Sequence, residues 1–454
     1  GFTPTITLDQ RSVIAAFPGH LVIGANNFGD ANNAVKTDNF IIDGDNGGAL
    51  SQDMTIQNMN ANFAARLIVV HGDSDGVVTK NNILTNRSIS TAVNGCTGVV
   101  FQSRNHTING VIYNLLPDNW IVDNNTITTN ITAGSYGLGI EMNNSGTITA
   151  GNAQSGWTIS NNIINARQRG IFMNQTAGGT ISNNTISIGA VLAGLTGHGI
   201  FHNTCNNTPG WTMNIFNNKI TSMSHAGPTA NYGLVAIEVS GSAVTGAYPT
   251  YNVYNNMVSG YQFTSATDGL YRGIYCGTKN CNLNVFYNSI NMPSSPLVIT
   301  TPGYGCAIGI KEATAFSVYA DIRNNNIRIA EDRMWGIWRE DVTALTSNFN
   351  NIFIDGTTVG TNFGRLGGEN FGTLAEWQVG TGKDINSSSI DPTAAIAPYT
   401  GAWTSNTDLH FTAWPGPYFA AQPITGIAED GDGDPRSASA PTMGCDESQG
   451  TPAP

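Results

Sequence analysis

Charge is what this chain has least of. Only 11% of its 454 residues are Asp, Glu, Lys or Arg, against about a quarter in ordinary globular proteins. Just 19 are Lys or Arg, scattered along the chain, and the net charge is −12. That balance argues against nucleic acid or an anionic membrane as the partner. No apolar run approaches 18 residues, so a transmembrane helix is excluded. Helical periodicity is nearly absent. The six cysteines (Cys96, Cys205, Cys276, Cys281, Cys306 and Cys445) show no zinc-site spacing and no CxxC. Their even count is compatible with disulfides in an oxidising compartment. The pair in CGTKNC either closes a small loop or packs as two buried thiols. The chain opens GFTPTITLDQ, without Met or a signal-peptide pattern, as a mature or excised segment would.

What the chain has in abundance is a repeated asparagine pair. VDNNTIT at Val122 returns as ISNNIIN, ISNNTIS, IFNNKIT, VYNNMVS and IRNNNIRI. Aligned on the second Asn, the copies fall at Asn82, Asn125, Asn162, Asn184, Asn218, Asn256, Asn288, Asn325 and Asn351, with steps between 22 and 43 residues. Asn tolerates left-handed backbone and tight turns, and β-branched residues flank each pair at alternating positions. The shortest step suits one coil of three short strands, and longer steps suit the same coil with an inserted loop. A second marker alternates with the first. YGLGIEM, QRGIFM, GHGIFH, LVAIEV, YRGIYC, AIGIKE and MWGIWR place an Ile at 140, 171, 200, 237, 274, 310 and 337. These features predict an all-β, single-stranded right-handed parallel β-helix in which each turn asparagine stacks ~4.8 Å above the last, forming an Asn ladder. Structural duty is the favoured reading of the asparagines.

On this pattern the sequence resembles the secreted bacterial right-handed parallel β-helix repeat proteins, allied in fold to pectate lyases. FIIDGDNGGALSQDMTIQNMN looks like that family's first coils, and DLHFTAWPGPYF followed by DGDGDPRSASAPTMGCDES is similar to its closing segment. Trp414–Gly416–Pro417 departs from an expected Ser-Pro, and Cys445 stands where a small residue is common. The resemblance implies a cap and first coil over residues 1–45, a β-helix over 46–425 and a closing segment over 426–454. It also implies a secreted or cell-surface location. It is weak for activity, because this fold hosts lyases, glycosidases, tailspikes and adhesins.

Candidate sites follow from the register. If the marker Ile points inward, the next residues form an outward file of Glu141, Phe172, Phe201, Glu238, Tyr275, Lys311 and Trp338, with Arg169, His198 and Arg272 near the strand start. Such a stripe marks a sugar or partner surface, unless a loop covers it. Catalytic residues are not evident. The weak candidates are Asp73 and Asp75 in HGDSDGV, with Lys80, and a plain turn at a coil corner is the more economical reading. TGHGIF matches the Gly-His-Gly of polygalacturonases, but the accompanying motifs are missing. Asp430, Asp432 and Asp434 in EDGDGDPR alternate as calcium ligands can, though no bidentate Glu follows. Calcium is the one cofactor to consider. Sequons such as NRS at Asn86 arise from composition alone.

Two functions stand open: a structural or adhesive element of an extracellular surface or filament, or a polysaccharide lyase or glycoside hydrolase on the same scaffold. The expected partners are a glycan, copies of the chain or neighbouring domains. The spread of charge favours the first.

Overall fold

The structure is a computed structural model. It describes residues 38–448 apart from 46–49, 59–64, 72–73, 88–95, 103, 109–110, 116, 130–136, 144–152, 204–209, 229–230, 243–247, 265–267, 313–316, 342–343 and 357, together with the strands Thr5–Thr7 and Leu21–Ile23. Among these residues there is one α-helix, Leu374–Thr381, and one 3-10 turn, Pro417–Phe419; the remaining regular structure is β. Apart from the antiparallel pair Arg104–Ile108 and Val111–Leu115 and the antiparallel edge strand Glu369–Phe371, the strands form three parallel sheets to which successive coils contribute in turn, so the fold is the parallel β-helix read from the repeat. The chain clusters into two compact units: Gly1–Leu192 with His198–Met213 and Val239–Tyr248, and Ala193–Gly197 with Asn214–Glu238 and Pro249–Pro454.

The shortest coil, in the first unit, shows the plan. Trp157–Ser160 runs into the turn Asn161–Asn162, then Ile163–Ala166, then Arg169–Asn174. The next coil repeats it with Gly179–Ser182, Thr185–Val191 and Gly197–Asn203. Ile159 aligns with Ile181, Ile164 with Ile186 and Ile171 with Ile200. All six are fully buried, each contributing about 1.5–3 kcal/mol of apolar burial. The glycine of the Gly-Ile marker has a steric reason. A Cβ added to Gly170 would lie 2.5 Å from Ile186 Cγ2 and 2.6 Å from the Gly199 carbonyl, so the bare backbone is what seats the isoleucine of another sheet.

The paired asparagines divide the labour of the turn. The first takes the left-handed conformation: φ is 58° at Asn81, 49° at Asn124, 57° at Asn161, 55° at Asn217 and 55° at Asn255. Its Cβ costs least there because the short amide side chain tolerates αL. The second is buried and builds the ladder. In the first unit Asn82 Nδ2 donates to Asn125 Oδ1, Asn125 to Asn162 and Asn162 to Asn184, at 3.0–3.1 Å. In the second unit Asn218, Asn256, Asn288, Asn325 and Asn350 repeat the chain at 3.0 Å. From Asn125 in the first unit and Asn256 in the second, each oxygen also accepts a backbone N–H from the preceding copy, as Asn162 Oδ1 does from Asn125 N. Inside the runs Nδ2 further donates to carbonyls of its own turn and of the coil before, as Asn162 does to Ser160 and Val122 and Asn288 to Phe286 and Val253.

The last rung corrects the sequence alignment. Asn350, not Asn351, carries the ladder; Phe349 holds the left-handed position at φ 55°, and Asn351 opens the following strand opposite Asn326. Tyr287 occupies the same strained position at φ 53°. Its hydroxyl donates to the Gln422 carbonyl at 2.8 Å, and the Arg436 guanidinium lies 4.0 Å above its ring. The ladder ends on Asp384, whose Oδ1 accepts from Asn350 Nδ2 and whose Oδ2 accepts from Trp377 Nε1. Trp377 belongs to the helix, which a Thr373/Glu376 capping box starts, and it is fully buried beside Phe363 and Phe371. The last coil of the second unit is thus closed.

Beyond the helix the chain runs back along the turn side of the second unit. The Ile390, Gln422, Glu429 and Asn406 carbonyls accept from the amides of Asn351, Asn324, Asn255 and Asn291 respectively. Trp403, Leu409, Phe411, Phe419 and Cys445 pack with Met257. The closing segment read from residue 426 is part of this longer lateral strap.

Two measurements test this account. Asn162→Ala removes a buried amide and orphans the groups around it, so it costs about 3–5 kcal/mol in urea denaturation, whereas Asn161→Gly, one residue earlier and exposed, stays within about 0.5 kcal/mol. The second concerns His202, which faces the core, its Nε2 at 3.1 Å from the Thr176 carbonyl. Burial pushes its pKa down to about 4. A depressed base contributes stability that is full above 6.5 and is lost as pH falls toward 4, at most about 3 kcal/mol. His202→Met, matching the aligned Met173, removes that acid sensitivity; an unchanged pH profile between 6.5 and 4 contradicts the assignment.

Candidate functional site

The expected outward file exists in part, and it is covered. In the first unit Glu141 aligns with Phe172 and Phe172 with Phe201. The two phenyl rings stack at 5.3 Å, His198 stacks on Phe201 at 4.5 Å, and Arg169 lies 4.3 Å over Phe172. The cations read near the strand start do sit beside the aromatics, as cation–π partners. Yet Glu141 and Phe172 are buried, and Thr97 Oγ1 donates to the Glu141 carboxylate at 3.4 Å.

The second unit corrects the register. Tyr275 aligns with Gly309, and Gly309 with Trp338; Lys311 stands two residues further on, opposite Gly277. The marker AIGIKE contains two isoleucines, and Ile308 rather than Ile310 continues the file from Ile274 to Ile337. A slip of two keeps each side chain on its face, so periodicity could not detect it. Lys311 is exposed and outside the stripe, and Glu238 is half-buried. Tyr275 and Trp338 (2% exposed) join Val235, Leu270, Cys306 and Trp335 in a closed cluster against which Tyr304 packs. A Cβ on Gly303 would fall 2.7 Å from the Trp338 indole, and the Gly303 carbonyl accepts from Arg272 Nε at 2.9 Å, with Arg272 3.7 Å above Tyr275. The loop before Gly305 therefore lids the aromatics. The stripe is a packed layer rather than an open contact surface.

The catalytic candidates are structural where they are described. Asp73 lies outside the described residues. Asp75 sits in a corner turn: its own N–H donates to Asp38 Oδ1 and its Oδ1 accepts from Asp118 N at 2.9 Å, while Asp118 Oδ1 accepts from Ser155 N. The following residues Asn39, Gly76, Asn119 and Gly156 all have positive φ. This is a second ladder, built on Asp-Asn and Asp-Gly corners, and its signal was present in the sequence as DN, DG, DN and SG. Lys80 pairs with Asp43 at 3.0 Å, not with Asp75. Two open recesses lie in the second unit. One, of about 250 Å³, is lined by Phe216, Tyr254, Asn255 and the strap at Gly426–Asp430; the other, of about 360 Å³, by Asn282, Asn284, Tyr319 and Asp321. Asp321 holds Arg323 through two bonds at 2.6–2.7 Å. Neither recess opposes two available carboxyls as glycoside hydrolysis needs.

The aspartates of EDGDGDPR do not converge on one point. Asp430 is buried and spends both oxygens on backbone: Oδ1 accepts from Asp432 N and Asp434 N, Oδ2 from Glu447 N. Asp434 is exposed. Asp432 instead faces Lys219 Nζ at 3.0 Å and His410 Nε2 at 2.6 Å. His410 Nδ1 is bonded to Asp408, and Asp446 completes a group whose ligand atoms lie within 4.8 Å of one another. The carboxylates of Asp432 and Asp408 lift the imidazole pKa to about 9, while burial lifts Asp446 to about 6. Sequence reasoning missed this cluster because strap folding, not spacing, assembles it; DLHF and MGCDES stood out only as closing motifs. No family model matches the chain, and searches of curated proteins and of solved structures return no match.

If Asp430 is a backbone cap, Asp430→Ala lowers stability by about 2–4 kcal/mol in calorimetry, equally with and without calcium, and Asp434→Asn stays within about 0.5 kcal/mol. A loss at Asp430 that appears only with calcium contradicts the capping role.

Proposed function

We propose that this chain is a structural or adhesive β-helix element of an extracellular or cell-surface assembly. The observation that carries this reading is the state of the sheet margins. In the first unit Thr5–Thr7, Leu21–Ile23 and Ile41–Asp43 are the terminal strands of the three sheets, without an outer strand partner among the described residues. Beside them Phe40, Ile41 and Leu50 are 41%, 57% and 68% exposed. A terminal strand flanked by exposed apolar side chains is a template for pairing with another copy or a neighbouring domain.

The disposition of the polar groups supports the same reading. The ladder asparagines, Asp75 and Asp430 serve backbone groups, which leaves little for acid–base chemistry. The low charge and the family resemblance support a place outside the cell, as a filament subunit or a glycan-binding adhesin. The alternative, a polysaccharide lyase or glycoside hydrolase, keeps Asp73 as its candidate.

Incubation with pectic, alginate and neutral polysaccharides, calcium present, checks the choice alongside sedimentation and glycan-binding assays. We expect no unsaturated or reducing ends, and either self-association or glycan retention. Product release abolished by Asp73→Asn installs the enzyme. Neither association nor retention removes the adhesive reading.

A further inference from the structure

The strap of the second unit brings one imidazole and two carboxylates to a point. Three stretches distant in sequence meet there: Asp408–Phe411, Asp430–Asp432 and Cys445–Asp446. The ring of His410 is oriented by its own neighbours, with Nδ1 on Asp408 and Nε2 turned to Asp432. A carboxylate on the far ring nitrogen is the arrangement that fixes the tautomer of a metal-ligating histidine and raises its basicity.

Asp446 supplies an independent observation. It is only 8% exposed, and its Oδ2 accepts the Phe411 N–H at 2.7 Å. A buried carboxylate with one neutral donor is poorly compensated. The charge count points the same way. Asp408, Asp432 and Asp446 stand against Lys219 and one imidazole, so even a protonated ring leaves the group net negative. A divalent cation in place of the ring proton balances the three carboxylates with Lys219.

We propose that His410 Nε2, Asp432 and Asp446 form a binding site for a divalent first-row transition metal of the zinc class, which ties the three stretches of the strap together. Mixed nitrogen and carboxylate donors, three in number, suit zinc or cobalt and leave an outer position for water. Lys219 keeps its bond to Asp432 Oδ1 and links the site to the strand Lys219–His225. The site differs from the aspartate series of EDGDGDPR, sharing only Asp432, and is independent of what the sheet margins bind.

The test uses the full chain, freed of metal by chelator and dialysed. Zn²⁺ at micromolar concentration is expected to raise its melting temperature by several degrees, through binding to the folded state alone. Co²⁺ is expected to give a visible absorption band that Zn²⁺ displaces. Asp446→Asn keeps an acceptor for the Phe411 N–H, so it folds, and it is expected to lose the Zn²⁺ shift and the Co²⁺ band; His410→Gln loses both as well. Absence of a shift and a band in the parent chain overturns the site. The same shift and band in Asp446→Asn and His410→Gln show an adventitious ion only, bound elsewhere, and also overturn it.

Discussion

The hydrogen bond from one buried asparagine amide to the next is the interaction on which the rest of this fold depends. A β-helix turns its chain sharply once per coil, and each turn leaves backbone donors and acceptors facing the interior. The ladder amide meets both needs at once. Its oxygen takes the N–H and Nδ2 of one neighbouring coil, and its own Nδ2 serves carbonyls of its turn and of the coil before. An apolar residue would strand these groups at about 1–3 kcal/mol each. A charged one would place like charges at every coil spacing. Only an uncharged side chain that donates and accepts in one plane can repeat without limit, which is why the chain is poor in charge and rich in asparagine.

That economy has a consequence for where the carboxylates stand. Asp384 terminates the ladder of the second unit because a pure acceptor can receive the last amide and still take the Trp377 indole N–H. Asp38, Asp75 and Asp118 cap corners, and Asp430 closes a turn of the strap with three N–H groups. Carboxylates thus sit where a series of donors needs an end.

The repeat, the three-strand coil and the buried role of the second asparagine were legible in the sequence, since each is a local pattern copied many times. What was not legible lies where the pattern is locally degenerate or absent. NFNNIF offers two frames for one ladder position, and the structure takes the one that forces Phe349 into a left-handed turn. AIGIKE offers two isoleucines of the same parity, and the wrong choice carried Lys311 into a file where Gly309 stands. Burial of the aromatic file stood as an open alternative that the sequence could not decide, because the loop that lids Trp338 has no period at all. The strap is read least well, because its partners lie up to 213 residues away, as Lys219 and Asp432 do.

The same distance explains why the cluster around His410 is assembled by the strap and not by the repeat. Within the coils, each ladder asparagine finds its partner in the next copy, so the repeat enforces its satisfaction. The strap has no copy above or below it. Its polar groups must be matched individually to groups already in place, as Arg436 is, with bonds to Asn255 Oδ1 and to the Thr442 and Gly444 carbonyls and a ring beneath it. Around His410 three carboxylates gather about one imidazole. The ladder satisfies its asparagines by repetition, whereas the negative charge around His410 gathers where no repeat operates.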